Sequence, residues 1–142
     1  MENAGDALQQ VPFFNCLEGR QLKRLAGKLR ERRLPAGTVV VKEGEMSGIG
    51  FFVIREGEAV VTLRGNEVAR LGPGDHFGEL ALIAERERTA TVTAQTPLEC
   101  LELASWDFRE FVQSDPDVSW RLLQYVVDLL LDDERAAAAR AS

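Results

Sequence analysis

The stretch FFVIREGEAVVTLRGNEVARLGPGD, residues 51–75, decides the fold. It contains short runs rich in β-branched and aromatic residues, and glycine-containing turns separate them. Such runs are typical of strands, and a glycine such as Gly57 or Gly65 can adopt the positive φ that a tight reversal needs. The segment therefore predicts consecutive antiparallel hairpins. The predicted strands here are residues 50–54, 59–63 and 67–71.

The same pattern continues on both sides of this stretch. Further short runs occupy residues 38–41, 89–94 and 98–103, with turn residues between them. Many short strands at near-regular spacing are typical of a barrel or jelly roll. We therefore predict an antiparallel β-roll of the jelly-roll type over residues 35–104.

Helical patterns flank the predicted roll. Before it, over residues 11–34, apolar residues recur at spacings of three and four, which predicts an amphipathic helix. Pro12, Phe13 and Phe14 lie ahead of the recurring apolar residues and are expected to form a short apolar anchor. The helical N-terminal element is expected over residues 8–34. The recurring apolar residues are Leu22, Leu25, Ala26 and Leu29.

The helical period returns after the roll, over residues 105–139. Ser105 is a candidate N-cap for the first helix, and Ser114 or Asp115 for the second, where Pro116 suits the first turn. The last helix is richer in apolar residues than packing on the roll requires, so we expect it to cover a ligand or to form a dimer seam. The residues of this stripe are Leu123, Val126, Val127 and Leu130.

Composition limits the classes of protein that the chain can be. Its 142 residues, 45% hydrophobic and 28% charged, fit one compact domain over residues 1–142. Seventeen Lys and Arg against 23 Asp and Glu give a formal charge of −6, which repels nucleic-acid phosphates. We therefore expect no direct DNA binding, and the sequence shows no DNA-reading segment after the last predicted helix.

The rare residue types narrow the classes further. Cys16 and Cys100 lack the close spacing of a zinc or redox motif, so we expect buried free thiols in a reducing compartment. A single histidine, His76, argues against a metal centre and against catalysis by paired imidazoles. Neither a secretory signal nor a membrane span is apparent. The protein is predicted to be cytoplasmic and not an enzyme.

The stretch FGELALIAERERTATV, residues 77–92, carries the candidate chemistry, because a short helical piece interrupts the strands. The first N–H groups of a helical turn lack partners within the helix and can stabilise an anion, which Gly78 lets approach closely. Arg88 can meet two phosphate oxygens, and Thr89 adds a hydroxyl. Glu79 suits a sugar hydroxyl. One arginine and a few amides match a monoanionic cyclic phosphodiester.

This stretch resembles the phosphate-binding cassette of cyclic-nucleotide-binding domains, as found in catabolite-activator-like regulators, protein kinase A regulatory subunits and cyclic-nucleotide-gated channels. The likeness covers nearly the whole chain, including the glycine turns and the trailing helices. It implies a β-roll that binds cAMP or cGMP as a ligand, without a cofactor or metal. Thr89 does not decide between the two bases.

The resemblance also implies a role for each residue of the cassette. Glu79 would accept a hydrogen bond from the ribose 2′-hydroxyl, and Arg88 would pair with the cyclic phosphate. Backbone amides around Gly78, with Thr89, would complete the phosphate cradle. The predicted ligand-binding residues are Phe77, Gly78, Glu79, Leu80, Ala81, Arg88, Thr89 and Ala90.

Simpler interpretations compete at several of these positions. Glu79 and Arg88 could form an ion pair that closes one end of the roll. His76 is expected in an exposed loop, and Trp106 and Trp120 in the core. Arg135 could stack on a purine, although an exposed arginine at a helix end is the simpler expectation.

The function that follows is a non-enzymatic cyclic nucleotide receptor for signal transduction, whose last helix moves on ligand binding. Two alternatives belong to other classes: a degenerate cassette that acts as an interaction or dimerisation domain, and a cupin-type metalloenzyme. The second needs a cluster of histidines that the chain lacks. The chain is expected to be either a stand-alone sensor or a fragment of a larger protein. Its effector is unknown.

Overall fold

The computed structural model describes residues 4–46 and 50–141, with side chains as far as residue 133. Five helices accompany eight strands in this part of the chain. The helices are α1 (Ala4–Gln9), α2 (Gly19–Ala26), α3 (Glu79–Ala84), α4 (Ser105–Ser114) and α5 (Pro116–Ala141). The strands are β1 (Arg30–Leu34), β2 (Val39–Val41), β3 (Phe51–Glu56), β4 (Ala59–Leu63), β5 (Asn66–Leu71), β6 (His76–Phe77), β7 (Thr91–Ala94) and β8 (Leu98–Leu103).

The strands form two antiparallel sheets of four strands each. The order is β1-β8-β3-β6 in the first sheet and β2-β7-β4-β5 in the second. The predicted antiparallel β-roll with flanking helices is thereby confirmed, as two sheets and not as one closed barrel within the described residues. Strands β4 and β8 have the bounds that their sequence pattern predicted.

Strand β3 separates two apolar clusters, because successive side chains of a strand point to opposite faces. Phe52 and Ile54 pack between the sheets, with residues of β2, β4 and β7. Phe51 and Val53 pack against the helices. All four side chains are almost completely buried. The molecule therefore has three layers, in which the first sheet lies between the second sheet and the helices.

An aromatic cluster joins the helical layer to β3. Phe13 and Phe14 are fully buried in the turn between α1 and α2, as the predicted apolar anchor requires. The ring of Phe13 lies 5.6 Å from Phe51 and 6.2 Å from Phe108 of α4. The rings of Phe13 and Phe108 meet edge-on, an arrangement that suits aromatic quadrupoles.

The N-terminal helix is shorter than the sequence pattern predicted. Within the predicted helix over residues 11–34, only α2 is helical, and Arg30–Leu34 form strand β1 instead. The prediction was wrong there because β1 pairs along its whole length with β8. Arg32 Nη1 lies 3.1 Å from Glu102 Oε2 across that pair. These long-range contacts override the local helical pattern.

The two C-terminal helices begin differently from each other. Asp115 Oδ1 accepts hydrogen bonds from the N–H groups of Asp117 (3.0 Å) and Val118 (3.3 Å), which confirms Asp115 as the cap ahead of Pro116. The prediction of Ser105 as the cap of α4 was wrong, since Ser105 is already the first helical residue and Ala104 occupies the cap position.

The two tryptophans are on the surface, so their predicted place in the core was wrong. Trp106 is 70% exposed and Trp120 is 62% exposed. Helices α4 and α5 bury other faces against the roll. Because Val118 and Leu122 point inward, Trp120, midway between them in sequence, points outward. The residues that α4 and α5 bury are Phe108, Phe111, Val118 and Leu122.

The cysteines are unpaired, as predicted. Cys100 is buried between the sheets as predicted, whereas the predicted burial of Cys16 was wrong, since Cys16 is only partly buried. Burial raises the pKa of Cys100 to about 11, so its thiol stays protonated at neutral pH. Among the described residues, no helix combines the length and the apolar character needed to cross a bilayer.

Candidate functional site

Gly78 fixes the geometry of the turn that opens α3. Its φ is +100°, and a Cβ at this position would lie 2.6 Å from Gly50 O and 3.1 Å from Arg88 Nη1. A side chain would therefore be strained and would collide with the backbone beside Arg88. The preceding strand β6 pairs with β3, with Phe52 opposite Phe77, so the turn is anchored on the central sheet.

All the predicted site residues lie around one cavity. Its volume is about 180 Å³, and it is lined by the turn before α3, by α3 itself and by the start of β7. The structure thus brings together segments that are separated by a loop in sequence. The lining comprises Phe77, Gly78, Glu79, Leu80, Ala81, Arg88, Thr89 and Ala90, with Val41, Val61, Leu71, His76 and Val92.

Glu79 is a buried carboxylate in which one oxygen accepts a hydrogen bond and the other accepts none among the described residues. Its exposure is 5%. Oε1 accepts a hydrogen bond from Tyr125 Oη at 2.8 Å and lies 3.2 Å from His76 Nδ1. Oε2 is buried and has no partner among the described residues.

The surroundings of Glu79 favour its ionised form. Burial alone would raise its pKa, because desolvation penalises the charge. The contact with His76, the backbone amide of Glu79 and the hydroxyl of Tyr125 oppose that effect, and the pKa is lowered. Glu79 is therefore a carboxylate at neutral pH, able only to accept hydrogen bonds.

Arg88 is the matching cation in the same cavity. It is only 4% exposed. Nη1 donates to Gly78 O at 2.9 Å and Nη2 donates to Gly50 O at 3.0 Å, whereas Nε is buried without a partner among the described residues. Burial lowers the pKa of Arg88 and the charge of Glu79 raises it. An arginine remains charged in a protein, so the cavity holds a buried positive charge.

Glu79 and Arg88 interact without forming an ion pair. The charge of Glu79 raises the pKa of Arg88, but the ion pairs found among the described residues do not include this one. Their side chains are held by other groups, and each keeps a buried polar atom unpartnered. Unpartnered buried polar atoms are costly, and they are typical of sites that bind a ligand.

His76 belongs to the site, so its predicted place in an exposed loop was wrong. It lies in β6 with its side chain 11% exposed. Its ring centroid is 5.4 Å from Phe13, 5.6 Å from Phe51 and 5.4 Å from Tyr125. The pairing of β6 with β3 buries it, with Val53 opposite, and a two-residue strand leaves no pattern in the sequence.

Tyr125 is the site residue that sequence reasoning missed. It lies on α5, 46 residues from Glu79 along the chain. Burial and the neighbouring carboxylate raise its pKa, so its hydroxyl is a donor. Spacing offered no signal for it, since only the packing of α5 brings it to the cassette. The side chain of Arg135 lies outside the described residues.

A larger groove on the other side of α3 lacks such chemistry. It measures about 470 Å³ and lies between α3 and α4, with Leu82, Ile83, Trp106 and Val112 in its lining. The buried unpartnered polar atoms of the described residues belong to His76, Glu79 and Arg88, all in the smaller cavity. No group of three or more metal-ligating side chains occurs in the described part of the chain.

Comparison with known proteins identifies the family. The sequence profile of the cyclic nucleotide-binding domain matches residues 31–115. This chain therefore belongs to the cyclic nucleotide-binding domain family.

Individual relatives agree. The chain is 39% identical over 109 residues, 77% of its length, to a cyclic nucleotide-gated potassium channel of Mesorhizobium japonicum. It is 38% identical over 130 residues, 91% of its length, to the cAMP-dependent protein kinase regulatory subunit of Schizosaccharomyces pombe. The matches span only 30% and 29% of those relatives.

A solved structure shares the fold. The structure described as cAMP-bound PfPKA-R superposes with a TM-score of 0.73 at 26% sequence identity. The match covers 90% of this chain and 45% of that one. Most of this chain therefore shares its architecture with part of that structure.

Proposed function

We propose that the chain is a regulatory receptor module that binds a cyclic nucleotide, cAMP or cGMP, in the cavity between α3 and β7. One observation carries the proposal: a buried guanidinium and a buried carboxylate line the same cavity, and each has a polar atom without a partner. The names of the relatives, a cAMP-dependent kinase subunit and a cAMP-bound structure, favour cAMP.

Each end of a cyclic nucleotide finds a complementary group. Arg88 would bind the phosphate through its free Nε–H and through shared bonds from its terminal nitrogens. Glu79 Oε2 would accept from the ribose 2′-hydroxyl. Phe77 and Ala90 would line the walls, while the amides of Gly78, Leu80 and Ala81, with the Thr89 hydroxyl, would complete the cradle. Nothing in this assignment requires bond making, so the module is regulatory and not catalytic.

Helix α5 would respond to the ligand through Tyr125. The Tyr125 hydroxyl donates to the carboxylate that we assign to ribose. A nucleotide would add a donor to Glu79 and a base beside α5, and so would change the relative stability of the positions that α5 can adopt. A ligand shifts such an equilibrium only by its difference in affinity for the two positions.

The proposed partners are a cyclic nucleotide and an effector domain or protein of unassigned kind. With a net charge of −6, direct DNA binding is not part of the proposal. The unpaired Cys16 and Cys100 suit the reducing cytoplasm, where we place the protein.

Thermal unfolding tests the proposal. At a ligand concentration 100 times its dissociation constant, cAMP or cGMP is expected to add about 2.7 kcal/mol to the free energy of unfolding. At the same absolute concentration, AMP and GMP are expected to add less, because their phosphate carries more charge than one buried Arg88 neutralises. The melting temperature is measured with each of the four compounds. Equal shifts with cyclic and noncyclic compounds, or none at all, would contradict the proposal.

A second chain is proposed to pair with this one along α5. The exposed apolar residues Trp120, Leu123, Val127 and Leu130 follow one another at spacings of three and four, as in a coiled-coil seam. We expect the double variant Leu123→Glu, Val127→Glu to be monomeric where the parent sediments as a dimer. Asp128→Lys, which alters charge off this stripe, is the control and should stay dimeric. A monomeric parent would contradict the pairing.

A further inference from the structure

We propose that His76 is a positioning residue for sugar recognition, which holds Glu79 Oε1 so that Oε2 is presented to the ribose 2′-hydroxyl. The inference rests on the proposed function, because it assigns a further residue to the same site. It concerns the contact between two side chains that are both nearly buried, on β6 and at the start of α3.

The carboxylate of Glu79 is used unequally in the structure. Oε1 has the Tyr125 hydroxyl at 2.8 Å and His76 Nδ1 at 3.2 Å, while Oε2 has neither. His76 Nδ1 is itself buried, makes no well-aligned hydrogen bond in the described part of the chain, and lies within ion-pair distance of Glu79 Oε1. Its nitrogen can therefore satisfy its hydrogen-bonding capacity only at Glu79 or through water, and this fixes which oxygen remains for a ligand.

His76 is better placed than Tyr125 to hold the carboxylate throughout a binding cycle. Tyr125 belongs to α5, the element that we propose to move. His76 belongs to β6, the edge strand of the first sheet, which pairs with the interior strand β3. The rings of Phe13 and Phe51 pack against the imidazole, so its orientation is set by the core.

The charges around this contact agree with the role. Arg88 lines the same cavity and its pKa is raised by the charge of Glu79, while Tyr125 donates to Glu79 from α5. The pKa of Glu79 is lowered although burial alone would raise it, and the contact with His76 is the largest of the opposing effects. An ionised carboxylate accepts from a sugar hydroxyl, whereas a protonated one would compete as a donor.

Two variants distinguish the role of the His76 ring nitrogen from that of the aromatic ring itself. His76→Phe keeps an aromatic ring in the pocket and removes the nitrogen, whereas His76→Asn keeps an amide nitrogen near the place of Nδ1 and removes the ring. Affinities for cAMP and for 2′-deoxy-cAMP are measured by calorimetry in the parent and in both variants. The ratio of the two affinities reports the sugar contact alone.

We expect His76→Phe to reduce the preference for cAMP over 2′-deoxy-cAMP by about 10- to 150-fold, the range for a hydrogen bond to a charged group. His76→Asn should restore most of that preference. In a Glu79→Gln background, His76→Phe should change the preference no further, because the carboxylate through which it acts is absent.

The outcomes distinguish this inference from the function on which it rests. If His76→Phe weakens both ligands equally, or leaves the preference intact, His76 only supports the fold and the inference is overturned while nucleotide binding stands. If the parent binds neither compound, the proposed function itself fails and the inference fails with it.

Discussion

Arg88→Ala is expected to weaken cyclic nucleotide binding by about 2–5 kcal/mol, the usual loss when one partner of a buried charge pair is truncated. The dissociation constant would then rise roughly 30- to 5,000-fold, since about 1.4 kcal/mol corresponds to a factor of ten. Calorimetry with cAMP and cGMP measures the change. The loss is large because Arg88 is the buried cation of the cavity and is almost inaccessible to solvent.

Arg88→Lys is the matched control for that change. A lysine keeps the positive charge but lacks the planar fork that reaches Gly78 O, Gly50 O and a phosphate together. We expect its affinity to lie between those of the parent and of Arg88→Ala. Unfolding curves must show that both variants fold, because Arg88 also ties two backbone segments together. Unchanged nucleotide affinity in a folded Arg88→Ala variant would refute the assignment of the site.

Phe13→Ala is expected to lower the free energy of unfolding by about 3–5 kcal/mol, the range for deleting a large aromatic side chain from a core. Phe13 is fully buried, and its ring contacts those of Phe51, His76 and Tyr125. Urea denaturation measures the loss. Because two of these neighbours touch Glu79, nucleotide affinity should fall as well.

Trp106→Ala is the control for this second prediction. It removes an even larger aromatic side chain, but one that is 70% exposed on α4. Its cost is expected within about 0.5 kcal/mol, as for most surface substitutions. Similar losses in the two variants would mean that the turn holding Phe13 does not anchor the helical layer.

The cassette was predictable because its residues are close in sequence and each type serves a distinct chemistry. Gly78, with its positive φ, Glu79 and Arg88 lie within one short segment of sequence. The structure brings all three to one cavity. The roll was predictable from the regular alternation of strand runs and turn glycines. Whether the assembled residues bind a nucleotide remains a prediction until binding is measured.

The wrong predictions share a physical cause, because contacts between segments distant in sequence determine the structure at those residues. Arg30–Leu34 are extended because β8 supplies backbone partners. His76 is buried because β3 draws it into a sheet and α5 covers it. The tryptophans are exposed because α4 and α5 present other faces to the roll. None of these partners is visible in a local window of sequence.

The hydrogen bond from Tyr125 to Glu79 couples α5 to the proposed nucleotide pocket in both directions. A protein that binds α5 and displaces Tyr125 would change the affinity for the nucleotide by some factor. Thermodynamic reciprocity requires that the nucleotide change the affinity for that protein by the same factor. A measured change in cAMP affinity would thus reveal a docked effector, even one that never approaches the cavity.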